Sequence, residues 1–418
     1  MSEMVVVKRI GEEFYGDDGS SAFPSLQELY LTDMPNLEEW QIEPMSAGRK
    51  MASFPCLIEL SIDSCPILMV HPGIPCFVED LTIVESNEML LSAGNLAGLS
   101  QLKMLEIQNC EVSSSSGWWD GLQYLTALEE LRISECDELT CLPEGIMYLP
   151  SLHTLDLDEN KNLMSLEGGG RKPQQPTPFF PALQDLEIQG TDTLAALPEW
   201  VGGLTSLQNL LITECPYLAM LPDGLQHLTA LQKLDISDLP QLTMLPDGLQ
   251  HLTALQKLEI SDLPQLTMLP DGLRHLTALQ VLHIYDCPQL AMLPDGLRHL
   301  TALQELHIAS CPQLAMLPDG LQHLSALRDL CITSCPQLVM LPDGLQHLTA
   351  LQYLRIGECP QLARRCKREI GEDWHKIAHI PNVKFWPLKE DGEESGKRRT
   401  FVAKFLSQLG CARCMGHS

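Results

Sequence analysis

LPDGLQHLTALQKLDISDLPQLTM, residues 221–244, is the stretch that decides the architecture. Its opening Leu-Pro-Asp-Gly returns at Leu245, Leu269, Leu293, Leu317 and Leu341, so the 24-residue period never slips. A fixed period of this size marks a solenoid with one supersecondary unit per turn. Number the unit from one to twenty-four. Leu231, Leu234 and Ile236 then fall at positions 11, 14 and 16, and the last two alternate with polar residues as in a strand with one buried face. Leu239 at position 19 and Leu242 at position 22 turn inward after it, with Pro240 ending the pairing. Asp223 and Gly224 are expected to cap one helical or 3-10 turn whose apolar side carries Leu225 and Leu228. One unit has too few apolar side chains to offset the ordering of its backbone. Units must therefore stack and share a parallel sheet.

The strand signature continues upstream in worn form, as in Leu26-Leu29-Leu31, Leu57-Leu60-Ile62, Leu128-Leu131-Ile133 and Leu207-Leu210-Ile212. In all, fourteen units are legible. The unit resembles the leucine-rich repeat, which implies an α/β solenoid: a horseshoe with a parallel concave sheet and short helical, 3-10 or irregular convex segments. Residues 1–22 read as the remnant of a preceding repeat, 23–196 as irregular repeats with a loop at 166–178, and 197–362 as regular repeats. Residues 363–385 read as a terminal cap and 386–418 as a tail without fixed structure. Val5 to Val7 are expected to form the strand of the remnant.

The formal charge is −28 with no basic stripe to track phosphates, which argues against nucleic acid as a partner. No apolar run is long enough for a signal core or a membrane span, and no asparagine stands in an N-x-Ser/Thr acceptor. A cytoplasmic chain without membrane insertion is expected. Eight of the fifteen cysteines share position 19: Cys65, Cys110, Cys136, Cys215, Cys287, Cys311, Cys335 and Cys359. Leu239 and Leu263 replace cysteine there, so the position reads as a small buried hydrophobe and not as half of a disulfide.

No catalytic, cofactor or metal constellation is read from the sequence. His227, His251, His275, His299, His323 and His347 recur at position 7, each four residues after an aspartate, and are read as stacked Asp–His pairs. They form a linear ladder, not converging metal ligands. His375 and His379 read as parts of the terminal cap. Cys411 and Cys414 with His417 lack a fourth ligand, and Gly392–Arg398 lacks the spacing of a phosphate loop. Trp118 and Trp119 read as a plug over an irregular repeat.

The six regular copies differ in an informative way. Their outer halves are nearly constant, whereas positions 12 to 18 run QKLDISD, QKLEISD, QVLHIYD, QELHIAS, RDLCITS and QYLRIGE. Divergence confined to the concave strand points to altered recognition. The protein-binding face is therefore assigned to Asp156, Glu187, Asp235, Glu259, His283, Tyr285, His307, Cys331, Tyr353 and Arg355, taken as exposed. Acidic residues crowd positions 12, 13, 15, 17 and 18 of the first seven repeats and thin out over the last four. An acidic groove favours a basic partner.

Both ends carry a further resemblance. GEEFYGDDGSSAFPSLQELYLTDMPNLEEW (Gly11–Trp40) and CPQLARRCKREIGEDWHKIAHIPNV (Cys359–Val383) resemble the leucine-rich-repeat domain of plant coiled-coil-class nucleotide-binding leucine-rich-repeat (NLR) disease-resistance proteins, over roughly residues 8–385. That resemblance implies a non-catalytic module sensing a pathogen effector or a guarded host protein, and contacting a nucleotide-binding domain at rest. The phosphate loop and coiled coil of such receptors have no counterpart here, so a fragment or stand-alone sensor arm is expected. Two rivals are a ubiquitin-ligase substrate receptor, for which no F-box-like segment is visible, and an inert truncated relative.

Overall fold

The computed structural model describes residues 6–11, 14–15, 23–42, 54–113, 117–166 and 179–386. Fifteen strands form one parallel sheet in unbroken chain order, from Glu28–Thr32 at one edge to Asn382–Trp386 at the other. Fourteen of these come from the fourteen repeats, and the fifteenth belongs to the terminal cap. Register follows the period: Leu234 pairs with Leu258 and Ile236 with Ile260, and the next strand continues with Leu282 and Ile284. These residues point inward and form one continuous spine with Leu231, Leu242 and their counterparts. Each strand thereby buries its apolar face on the next repeat's, the condition for a stable stack.

Every strand ends in the same way. Position 18 has a positive φ in all fourteen repeats, from Asp33 (φ 55°) through Asp238 (49°) and Ser310 (55°) to Glu358 (51°). Its amide donates to the position-17 carbonyl of the following repeat, as Asp238 does to Ser261 at 3.1 Å. A left-handed residue costs least as Gly, Asn or Asp. Gly, Asn and Asp supply six of the fourteen residues, and Glu or Ser, which this preference does not favour, supply the other eight. At Gly190 (φ 61°) a Cβ would lie 3.0 Å from the Glu159 Cα. Much of the acidic charge assigned to the groove (Asp33, Glu85, Glu135, Glu159, Glu214, Asp238, Asp262, Asp286 and Glu358) thus belongs to strand-ending turns.

Position 19 is buried in every repeat, and its thiols are free, but it is not merely a hydrophobe. Asn160 accepts from the Cys136 amide at 3.0 Å and donates to the Ile133 carbonyl at 2.7 Å. Ser86 accepts from the Cys65 amide, and the Cys359 sulfur accepts from the Cys335 amide. Thiols such as those of Cys136 and Cys335 also donate to the carbonyl two residues back, at 3.2 Å in both cases. Where position 19 is Ser, Asn or Cys it satisfies backbone that the turn leaves unpaired, which Leu239 and Leu263 cannot do. Burial pushes the Cys136 thiol up to about 12.

On the convex side each regular repeat makes a short 3-10 turn, Asp223–His227 being the first of six. Its N-cap is Pro222, whose fixed φ suits the entry, and no side chain caps it. Asp223 therefore does not act as the expected cap. The turn also changes the reading of the position-7 histidines. A 3-10 turn has three residues per turn, so residues four apart do not stack. Among the described residues no ion pair joins these aspartates to those histidines. His275 and His299 instead accept from Arg274 and Arg298 at 3.0 and 3.2 Å.

The first repeats carry a second, three-stranded parallel sheet of Arg9–Ile10, Glu39–Gln41 and Met69–His71. Arg9–Ile10 is the strand found here; of the expected strand Val5 to Val7, Val6 is exposed and Val7 is outside any strand, and Val5 lies outside the described residues. Trp40, in the middle strand of this sheet, is buried and donates to the Tyr15 hydroxyl at 2.9 Å. At the other end, Pro360–Arg365 and Trp374–Ile377 are helical, and Asn382–Trp386 pairs with the last repeat. The cap thus reaches Trp386. Asp373 is buried there and accepts from Arg365 at 3.0 Å, Lys376 at 3.1 Å and the Leu341 amide at 3.2 Å. His375 and His379 contact the Glu372 and Leu348 carbonyls, as expected of cap residues. The loop at 167–178, the tail from 387 with Cys411, Cys414 and His417, and the side chains of Trp118 and Trp119 lie outside the described residues.

Candidate concave recognition site

Strand register gathers the assigned residues into one file. Asp235, Glu259, His283, His307, Cys331 and Arg355 are consecutive partners across six strands, and Lys384 of the cap follows Arg355. Asp156 and Glu187 pair with each other, and Leu211 separates them from Asp235. Tyr285 stands at position 17 and Tyr353 at position 13, so both flank the file.

The file is far less exposed than the alternation implies. Glu259 and His283 are 6 % exposed, His307 and Cys331 4 %, and Tyr285 3 %, whereas Tyr353 is 42 % exposed. The reason is close packing: strands about 4.8 Å apart set large side chains at positions 13, 15 and 17 against one another, whereas Asp156, Glu187 and Asp235 at the same position are half-buried. Lys257, Glu305 and Asp329 at position 13 are the residues sequence reading missed. Their signal was available, because residues two apart share a strand face.

Charge alternates along the buried file. Lys257 Nζ meets Glu259 Oε2 at 2.7 Å, and Arg355 Nη2 meets Asp329 Oδ2 at 2.7 Å. Glu259 and Glu305 flank His283, each with a carboxylate oxygen 3.8 Å from a ring nitrogen. Burial, with Glu259 beside it, lifts the Asp235 carboxyl to about 7. Burial also works against Glu259, but His283 and Lys257 outweigh it and hold this carboxyl down to about 2. Cys331 is pushed up to about 12 by burial, so it is a protonated thiol at neutral pH and a poor nucleophile. Tyr353 lies under the Arg355 guanidinium, 5.8 Å from its ring centroid. Such a face holds charged groups fixed along a groove and suits binding.

A parallel sheet with one strand per 24-residue unit and a short convex 3-10 turn is the geometry of a leucine-rich repeat, and the family comparisons agree. The chain is a leucine-rich-repeat solenoid. Residues 262–415 match a leucine-rich repeat region, and 82–160 match the R13L1/DRL21 leucine-rich repeats. Residues 151–317 match the leucine-rich repeats of plant disease resistance protein RPS2-like chains. No curated protein matches significantly. Among solved structures, the solenoid is similar to a chain of the Toll–Spätzle complex of Drosophila. The TM-score is 0.60 at 17 % identity, over 87 % of this chain and 50 % of that one. It is also similar to the TLR13–ssRNA13 complex, with TM-score 0.51 and 16 % identity, over 87 % of this chain and 65 % of that one. The solenoid therefore spans half the length of the first and under two thirds of the second. Its fold and family matches are those of non-enzymatic interaction modules.

Proposed function

We propose that this solenoid is a non-catalytic recognition arm in plant immunity, which acts in the cytoplasm and binds a protein on its concave sheet. The partner is a pathogen effector or a guarded host protein, with a nucleotide-binding domain as the resting contact. One observation carries the reading. Six near-identical repeats hold their convex halves constant and vary the residues that strand register lines up in one file. The match to plant disease-resistance repeats at residues 151–317 supports the immune setting. Acidic side chains at positions 13 and 15, among them Glu106, Asp156 and Glu187, favour a protein over nucleic acid.

The test uses exposed residues, since most of the file is buried. A double variant Lys233→Glu with Tyr353→Ala alters the concave rim, and His227→Ala with His251→Ala alters the convex side. Both are introduced into the full-length protein and scored for effector-triggered cell death in leaves. The concave variant is expected to lose the response and the convex one to keep it. Equal behaviour of the two variants overturns the concave assignment.

A further inference from the structure

His283 and His307 occupy the same position on the adjacent strands Val281–Tyr285 and Glu305–Ala309, and register sets them side by side. Their rings are parallel to within 3°, with centroids 4.5 Å apart. A buried imidazole nitrogen is costly to leave without a partner. The His307 Nε2 is shielded from solvent and makes no hydrogen bond. Its nearest charged atom, Asp329 Oδ2, is 3.8 Å away, beyond hydrogen-bond range. The other nitrogen, Nδ1, stands 3.3 Å from the Tyr285 hydroxyl. With the proton on Nδ1, donated to that hydroxyl oxygen, the lone pair rests on Nε2, the nitrogen on the Asp329 side.

Glu305 precedes His307 by two residues on the same strand and so shares its face. Its Oε2 lies 3.8 Å from the His283 Nε2, and its side chain is half exposed and able to swing. One donor atom from each of His283, Glu305 and His307 lies within 4.8 Å of the other two. Two imidazoles and a carboxylate are the donor set of open zinc sites, whose fourth position takes water or a ligand.

We propose that His283, Glu305 and His307 bind a divalent transition-metal ion of the zinc class on the concave face, with one coordination position open to the groove. Binding turns the two rings out of their parallel stack so that their lone pairs converge, and draws Glu305 in. Distances shrink to about 2.0–2.2 Å from the metal. Tyr285 orients His307 from behind, the arrangement that fixes the tautomer of metal-bound histidines. Lys257 Nζ pairs with Glu259 and Arg355 Nη2 with Asp329 on either side of the cluster.

Zinc titration of the full, chelator-treated chain by calorimetry tests the proposal, with cobalt absorption as the spectroscopic readout. Three variants are compared: His307→Ala, Glu305→Gln, and Cys411→Ser with Cys414→Ser. Glu305 is half exposed, so its variant keeps the fold. The expected result is one saturable site, weakened by more than about tenfold in His307→Ala and in Glu305→Gln. The cysteine variant is expected to retain it, together with the tetrahedral cobalt bands. No saturable uptake overturns the proposal, and so does uptake that survives the first two variants or disappears only with the cysteines.

Discussion

Asp235→Asn is the sharpest test of the electrostatics along the concave file. Burial and the adjacent Glu259 raise the Asp235 carboxyl from 3.8 to about 7. The native state therefore holds this proton more tightly than the unfolded chain does. The stability Asp235 contributes is fully present below its unfolded pKa and is lost as pH rises through about 7. Glu259 behaves oppositely. Its lowered carboxyl contributes stability above pH 4.5 that is lost only as pH falls towards about 2, so it is silent between pH 5 and 8. The full Asp235 shift corresponds to about 4 kcal/mol at about 1.4 per unit, and relaxation around Lys257 reduces it to between about 1 and 4 kcal/mol. Asparagine keeps the shape and removes the charge. The variant and the parent should melt closest together at the acid end of the range, near pH 5, and diverge as pH rises towards about 7. By pH 8 the variant should be the more stable, by a few degrees in Tm. Thermal melts of both proteins from pH 5 to 8 measure the difference. A pH-independent difference, or a variant that melts lower at pH 8, would refute the reasoning.

Further substitutions probe the repeats and the terminal cap. Asn160→Leu leaves the Cys136 amide and Ile133 carbonyl unsatisfied and should cost about 1–3 kcal/mol for each group, read by denaturant melts. Ser310→Val puts a branched residue at φ 55° and should destabilise by about 1–2 kcal/mol, whereas Ser310→Gly should be tolerated. Asp373→Ala strips buried Lys376 of one partner and should cost about 3–5 kcal/mol, seen as faster hydrogen exchange at the Leu341 amide. Site-resolved alkylation should label the exposed Cys56 and Cys76 quickly. The eight position-19 thiols should react only on unfolding.

The stack was legible because the period repeats without error and its apolar positions alternate. Leu234 and Ile236 alone locate the strand, and 24-residue spacing sets their partners. The site was legible as a file but not as a surface. Burial of His283, His307 and Cys331 depends on the large side chains of the adjacent strands, which no single repeat shows. Position 18 is confined to small polar residues, acids and glycine that suit a strand-ending turn, yet its charge resembled recognition. Position 12 was similar. Its glutamines varied little because they form an amide ladder, with Gln232 donating to Gln208 at 3.3 Å and Gln208 to Gln184 at 3.2 Å. The stacked Asp–His pairs failed because they assumed the spacing of an α-helix where the chain makes a 3-10 turn.

Spin labels at Lys233 and Tyr353 measure the register most directly. Both are exposed at position 13, and five strand steps separate them through Lys257, Val281, Glu305 and Asp329. At about 4.8 Å per step their Cα atoms should lie about 24 Å apart, giving one narrow distance distribution once label length is included. A broad distribution, or a mean beyond about 40 Å, would mean that residues one period apart do not return to equivalent places on a shared sheet.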